Sequence, residues 1–161
     1  MALRPELYPR DVGPAERAAL AAEIDDLAAA LRRNDPSGAE RLAAFNARTG
    51  RAYAVRDVAR YDQVLTIDEF VAEAVHPPAP RVADLTRDEL VEIVSRALPG
   101  HPSYDEPNAG YWTELFEANV PRADAGLLFE FPDGPDALER VDPWTPTPEW
   151  IVERALGLPE A

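Results

Sequence analysis

The stretch LTRDELVEIVSRALPG, from Leu85 to Gly100, decides the fold class of this chain. Thr86 and Glu89 stand three residues apart just before an apolar run, a spacing typical of the capping box that starts a helix. The apolar residues that follow recur at helical spacing and share one face: Leu90, Ile93, Val94, Ala97 and Leu98. Pro99 ends the pattern, because proline cannot continue a helix. The stretch therefore predicts an amphipathic helix that buries one side.

Two further helices are expected in the second half. One runs from near Asn108 to a stop before Pro121, and the last has Thr147 as its cap and Gly157 just past its end. Between them, LLFEF (127–131) alternates as a strand would. A lone strand in a helical domain has no partner for its backbone groups. We therefore predict one short helix or turn there.

The first half follows a similar plan. Gly13-Pro14 precedes a long helix with four apolar residues at helical spacing: Leu20, Ile24, Leu27 and Leu31. Further helices are expected from Asp35 to Gly50 and in AYAVRDVARYD (52–62). The last begins in LTIDEF (65–70), which repeats the capping-box pattern. The predicted fold class is therefore all-α.

A proline-rich segment divides the chain. HPPAP, from His76 to Pro80, cannot continue a helix, because proline lacks the backbone donor and disfavours helical geometry in the residue before it. We predict a helical N-terminal domain over residues 1–80. Residues 81–161 are predicted to form a four-helix domain.

The two halves also contain similar segments. FNARTG (45–50) is similar to FEANVP (116–121), and DEFVAEAV (68–75) is similar to PEWIVERA (148–155). These pairs suggest a diverged tandem repeat. Shared composition is the alternative explanation, because short amphipathic helices often resemble one another.

The acidity of the chain lies mainly in its second half. Residues 1–80 hold 13 acids against 10 arginines, whereas residues 81–161 hold 17 against 6. Residues 103–142 alone carry ten acids and two arginines. Such a surface repels nucleic acid and anionic membranes and attracts basic partners. The simpler alternative is that the acids serve solubility alone.

The composition excludes several classes of function. Because the chain has no cysteine, it has no disulfide, no thiolate zinc site and no cysteine nucleophile. It has no apolar run of about 18 residues, and MALRPELYPRDVG carries charges and prolines where a secretory signal is apolar. We therefore expect a cytoplasmic protein without membrane contact. His76 and His101 lack the spacing of metal ligands.

An enzyme that uses carboxylates is a further alternative. Glu114 and Glu117 stand three residues apart on an expected helix, where they could serve as an acid and a base. The sequence has no glycine-rich phosphate loop, histidine arrangement or paired-metal motif that supports this chemistry. We expect no enzymatic activity, no catalytic residue, no cofactor and no metal.

The second half resembles a known family. LTRDELVEIVSRAL, YWTELFEANVP, GLLFEFP and TPEWIVERAL follow one another in this order. Together they resemble the bacteriocin immunity proteins of the colicin and pyocin nuclease type, over about residues 85–158. The resemblance implies four helices of which the third is very short. It also implies an inhibitor that binds the basic nuclease domain of a cognate toxin beside its active site.

In that family, acids on the second helix and an aromatic pair on the third helix contact the toxin. Glu114 and Glu117 resemble the acids, Phe129 resembles the first aromatic, and the second falls on Glu130 or Phe131. The predicted partner-binding residues are Glu114, Glu117, Asp124, Phe129, Glu130 and Phe131. The expected core residues around them are Leu127, Leu128 and Trp150.

The chain departs from the family just before the short helix. The family has a His-Pro pair followed by an acid, whereas this chain has Pro121-Arg122 and Gly126. The loop PDGPDALERVDPW before the last helix is also longer and more acidic than in the family. These differences bear on which toxin is bound rather than on the helical plan.

Two questions stay open at the level of sequence. The function alternative to immunity is an acidic helical adaptor, or a nucleic-acid mimic, that binds another basic protein. The first half is either a support for the second half or a second binding module with Asp57, Tyr61 and Asp62 exposed. Its nearly balanced charge makes capture of a basic toxin less expected there.

Overall fold

The computed structural model describes residues 3–129 and 146–157 of the chain. Helices are the only regular secondary structure in these two ranges, which confirms the all-α fold class. None of these helices combines the length and the apolar character needed to cross a bilayer. The chain forms two compact units. We call Pro9–Pro78 the N-terminal unit, and Met1–Tyr8 together with Ala79–Ala161 the C-terminal unit.

The N-terminal unit contains four α-helices, all at predicted places. They are α1 (Pro14–Arg32), α2 (Gly38–Thr49), α3 (Val55–Ala59) and α4 (Ile67–Ala74). Each helix contributes buried side chains to one apolar core, which includes Ile24, Leu27, Phe45, Val58 and Phe70. The helical spacing of α1 thus produces the buried face that its sequence predicts.

The ends of these helices follow their sequence signals. At the start of α4, Thr66 Oγ1 accepts the N–H of Glu69 at 3.2 Å, and the Glu69 carboxylate accepts the N–H of Thr66 at 2.6 Å. The bond from the Thr66 N–H, with a second from the Thr66 hydroxyl at 2.8 Å, holds the pKa of Glu69 below its ordinary value, because both favour the charged carboxylate. α2 ends at Thr49 and is capped by Gly50, whose φ of 71° lies in the left-handed region.

The binding-module alternative for the first half expects three exposed residues, of which Asp57 and Asp62 are exposed and Tyr61 is not. Tyr61 is buried rather than exposed, and its hydroxyl donates a hydrogen bond to Asp25. This bond, together with burial, raises the pKa of Tyr61 to about 12. Asp57 accepts the N–H of Ala54 at 2.8 Å, and the carboxylate of Asp62 lies 3.2 Å from the guanidinium of Arg32. All three residues therefore make contacts within the N-terminal unit.

The C-terminal unit contains α5 (Arg87–Ala97), α6 (Ala109–Asn119) and α7 (Pro148–Leu156), with a 3-10 helix (Ala125–Phe129) between α6 and α7. The predicted capping box of α5 is present, and in it Thr86 Oγ1 accepts the N–H of Glu89 at 3.2 Å. The largest fully buried side chains of this unit come from these four helices and from the segment before Pro9: Leu7, Ile93, Trp112, Leu115, Phe116, Leu128 and Ile151. The short helix or turn predicted at 127–131 is confirmed up to Phe129, and the rest lies outside the described residues.

The domain division differs from the predicted one at the start of the chain. The break at Pro78 and Ala79 lies within the predicted linker, but residues 1–8 belong to the C-terminal unit. The reason is burial: Leu3 is 5% exposed and Leu7 is fully buried in the core of that unit. The predicted boundary places these leucines in the first domain, because they precede the linker.

Each unit also has an aromatic contact at the end of its second helix. Phe45 of α2 packs against Tyr53, with 5.8 Å between the ring centroids. Phe116 of α6 packs against Phe129, also at 5.8 Å. Phe45 and Phe116 head the two similar segments FNARTG and FEANVP. The common ancestry of the halves stays a prediction.

Candidate partner-binding surface

α6 places its two glutamates against different parts of the C-terminal unit. The helix buries Tyr111, Trp112, Leu115 and Phe116. Glu114 is half-buried and its Oε1 accepts the N–H of Ala79 at 3.1 Å. Glu117 is exposed and its Oε1 accepts the N–H of Gly126 at 3.0 Å. The two predicted binding acids therefore bond to separate segments, and Glu117 is the more accessible.

The contact between Glu117 and Gly126 explains the glycine. A Cβ at position 126 would overlap the Glu117 carboxylate. The absence of a side chain lets the carboxylate approach the backbone of the 3-10 helix at close range. This contact joins the exposed side of α6 to the start of the 3-10 helix.

The 3-10 helix turns neighbouring leucines in opposite directions. Leu128 is 1% exposed and belongs to the core, as predicted, whereas Leu127 is 51% exposed. The prediction that Leu127 is a core residue is therefore wrong. Five residues in a 3-10 helix cover fewer than two turns, so one side faces the core and the other faces solvent.

Phe129 lies at the border of core and surface. It is half-buried, and its ring meets that of Phe116 edge to face, with an interplanar angle of 89°. This geometry suits the quadrupoles of two aromatic rings. Glu130 and Phe131, the other two predicted binding residues of this segment, lie outside the described residues.

Asp124 is exposed just before the 3-10 helix. Its two carboxylate oxygens accept hydrogen bonds from Arg122, from Nε at 2.7 Å and from Nη2 at 3.2 Å. The guanidinium holds the pKa of Asp124 below its ordinary value, because it stabilises the charged form. Asp124 therefore stays negatively charged well into the acid range.

Three predicted binding residues and the exposed Leu127 thus lie on the 3-10 helix or next to it. We call this set the acidic-apolar patch, and it consists of Glu117, Asp124, Leu127 and Phe129. It combines two exposed carboxylates with one exposed aliphatic side chain and part of one aromatic ring. Such a combination suits a protein partner that offers positive charge and an apolar contact.

Two features of this region escaped the sequence interpretation. Asn119 holds the segment after the linker, because its Oδ1 accepts the N–H of Val82 at 2.6 Å and its Nδ2 donates to Pro80 O at 2.9 Å. Trp150 is half-buried rather than fully in the core, and the Arg154 guanidinium lies 5.3 Å from its ring centroid. An asparagine at a helix end, such as Asn119, is the one local signal that could have indicated its bonds to Val82 and Pro80.

The described residues show no arrangement for metal chemistry. In the two described ranges, no group of three or more His, Cys, Asp or Glu side chains is placed to hold an ion. His101 Nδ1 accepts the N–H of Ser103 at 3.1 Å within its own loop. His76 is a buried residue of the N-terminal unit.

Comparison with known proteins leaves the family of this chain unassigned. No protein-family model matches it, and no curated protein or solved structure is significantly similar to it.

Proposed function

We propose that this chain is an immunity-type inhibitor that binds the basic nuclease domain of a toxin through the acidic-apolar patch. One observation carries the proposal. The hydrogen bond from Gly126 to Glu117 fixes a carboxylate beside a 3-10 helix that also presents Leu127 and part of Phe129. Charge and apolar surface are thus combined in one place, as an interface to a basic protein requires.

The acids would act first, during encounter. Residues 81–161 carry 17 acids and 6 arginines, so their field attracts a positively charged domain over a distance of about 10 Å at 0.1 M salt. Steering of this kind raises association rates toward about 10⁸ per molar per second at low salt. Glu117 and Asp124 belong to this field and lie at the contact itself.

The apolar side chains would then determine how long the complex lasts. Burial of Leu127 and of the exposed part of Phe129 against the toxin removes apolar surface from water. A few such contacts at the centre of an interface contribute most of its binding free energy. A partner held in this way beside its active site can no longer accept nucleic acid.

Co-expression with candidate toxins tests the proposal directly. Each nuclease domain encoded next to the gene of this chain is expressed with the wild-type chain, and survival of the cells is scored. Leu127→Asp should abolish protection, whereas Val64→Asp, at an 84% exposed valine of the N-terminal unit, should not. Equal protection by both variants would exclude the acidic-apolar patch as the binding surface.

The charge distribution also supports a second candidate function. An acidic adaptor or nucleic-acid mimic would use the same excess of 17 acids over 6 arginines in residues 81–161 to bind another basic protein. Such a protein would bind the chain without protecting cells from any neighbouring nuclease. Calorimetric titration of purified nuclease domains separates the two functions, because only an immunity protein binds one of them tightly.

A further inference from the structure

The first described residues of the chain form a strap across the C-terminal unit. We call Leu3–Tyr8 the strap. Its Leu3 and Leu7 are 5% and 0% exposed, and both join the core that α5, α6 and α7 build. The strap lies more than 70 residues earlier in the sequence than the rest of its unit, because the N-terminal unit, Pro9–Pro78, intervenes.

Arg4 ties the strap to α5. Its Nε donates to Glu89 Oε1 at 2.8 Å, and its Nη1 donates to Asp84 Oδ1 at 3.1 Å. Glu89 is only 5% exposed and also accepts the N–H of Thr86 at 2.9 Å. One carboxylate therefore holds both the first turn of α5 and the strap.

The end of the strap is fixed on α6. The hydroxyl of Tyr111 donates to Leu7 O at 3.2 Å in a buried position. The ring of Tyr8 meets Trp112 edge to face, with 5.9 Å between the centroids. The Arg96 guanidinium of α5 lies over both rings, 5.2 Å from Tyr8 and 5.3 Å from Trp112.

The residues that receive the strap stand on the same helix as the acidic-apolar patch. Tyr111 and Trp112 lie in the first half of α6, and Glu117 lies in the second half. The backbone hydrogen bonds of this 11-residue helix link each turn to the next, so the two halves of α6 are mechanically coupled. A shift of the first half would therefore move Glu117 and its bond to Gly126.

We propose that the strap positions α6, and through α6 sets the lifetime of the complex with the partner. The second part of this inference rests on the proposed function. The strap acts by holding the helix, so it differs from the residues of the patch, which are proposed to touch the partner. Loss of the strap should loosen α6 and speed dissociation, while the acidic field that drives association stays the same.

Full-length variants in matched pairs test this proposal. Arg4→Ala and Leu7→Ala weaken the strap. Arg10→Ala and Leu42→Ala remove an arginine and a buried leucine from the N-terminal unit and serve as controls. Hydrogen exchange of the α6 and α1 amides is measured in each variant, together with association and dissociation rates for the purified nuclease domain identified by co-expression.

In the strap variants, the α6 amides should exchange hydrogen at least about ten-fold faster than in the wild type. The complex should dissociate faster by a similar factor. The α1 amides should keep their exchange rates, and the association rate should stay within about two-fold, since the patch acids are unchanged. The controls should leave α6 exchange and dissociation as in the wild type. Arg4→Ala keeps the apolar core intact, so it remains informative if Leu7→Ala does not fold.

Two results would overturn the proposal. One is unchanged α6 exchange in both strap variants. The other is faster α6 exchange with an unchanged dissociation rate, which would make the strap a packing element only. Failure of the wild-type chain to bind any nuclease domain would instead overturn the proposed function, and the exchange measurement, which needs no partner, would still decide whether the strap holds α6.

Discussion

The Glu117 carboxylate accepts a hydrogen bond from the backbone N–H of Gly126, with 3.0 Å between Oε1 and N. The carboxylate occupies the space that a side chain at position 126 would take. An acid of α6 and a glycine of the 3-10 helix are therefore coupled. Their coupling can be measured, because each can be changed while the other is kept.

Gly126→Ala should displace the Glu117 carboxylate and cost about 1 kcal/mol of unfolding free energy, the usual contribution of one hydrogen bond. The carboxylate is the end of a flexible side chain, so steric strain adds little. In a Glu117→Ala background the same change should be nearly neutral. Urea unfolding of the four species in this double-mutant cycle gives the coupling. Additive costs would show that the two residues act independently.

Leu127 and Leu128 form a natural pair for separating binding from stability. Leu128→Ala should cost about 2 to 5 kcal/mol of unfolding free energy, because it opens a cavity in the core. Leu127→Ala should cost less than about 0.5 kcal/mol, since the side chain is largely exposed. Under the proposed function, Leu127→Ala weakens partner binding in a calorimetric titration. A chain with unchanged affinity after this substitution would not use Leu127 as an anchor.

Asp124 should affect the rate of association more than the rate of dissociation. Asp124→Asn removes one exposed charge from the patch, so association at low salt should slow and its dependence on salt should weaken. Asp68→Asn removes one exposed charge from α4 of the N-terminal unit and serves as the control. Stopped-flow mixing at several salt concentrations measures both rates. Identical salt dependence in the two variants would argue against steering by the patch.

Glu89 and Glu69 occupy the same capping-box position in different helices, and only Glu89 also binds Arg4. The N–H of Thr86 and then Arg4 hold the pKa of Glu89 below its ordinary value. A depressed pKa contributes stability that is present above the unfolded-state pKa, about 4.3 for glutamate, and is lost as the pH falls through the folded-state pKa. The C-terminal unit should therefore lose stability in this acid range.

Glu89→Gln should reduce this pH dependence and also speed exchange of the α6 amides, because it weakens the strap. Glu69→Gln should reduce the pH dependence of the N-terminal unit alone. Hydrogen exchange at several pH values resolves the two units within one sample. Unchanged exchange of the α6 amides in Glu89→Gln would mean that the contact between Glu89 and Arg4 does not hold the strap on α6.

Local signals in the sequence predicted the helix ends well. Thr86 with Glu89 and Thr147 with Gly157 mark starts and stops that the structure reproduces, because capping depends on residues within one turn of each other. The helical spacing in α1 and α5 also identified the buried faces. These predictions needed no knowledge of distant contacts.

Distant contacts account for what the sequence did not reveal. Leu127 and Leu128 are adjacent and identical in type, and a five-residue segment has no period that shows which one faces the core. Leu3 and Leu7 find their partners more than 80 residues away on α5 and α6, so no local pattern indicates the strap. The bond between Glu114 and Ala79 spans 35 residues and likewise has no local signal.

The strap has a consequence for the order in which a ribosome-bound chain can fold. Residues 3–8 leave the ribosome before Pro9–Pro78 does, but their partners on α5 and α6 are made only after the whole of Pro9–Pro78. The N-terminal unit can complete its core while synthesis continues, since all of its helices are contiguous. Leu3 and Leu7 must meanwhile remain in water. The strap is therefore made before the N-terminal unit but reaches its native place after it, and it is a segment for chaperones to protect during translation.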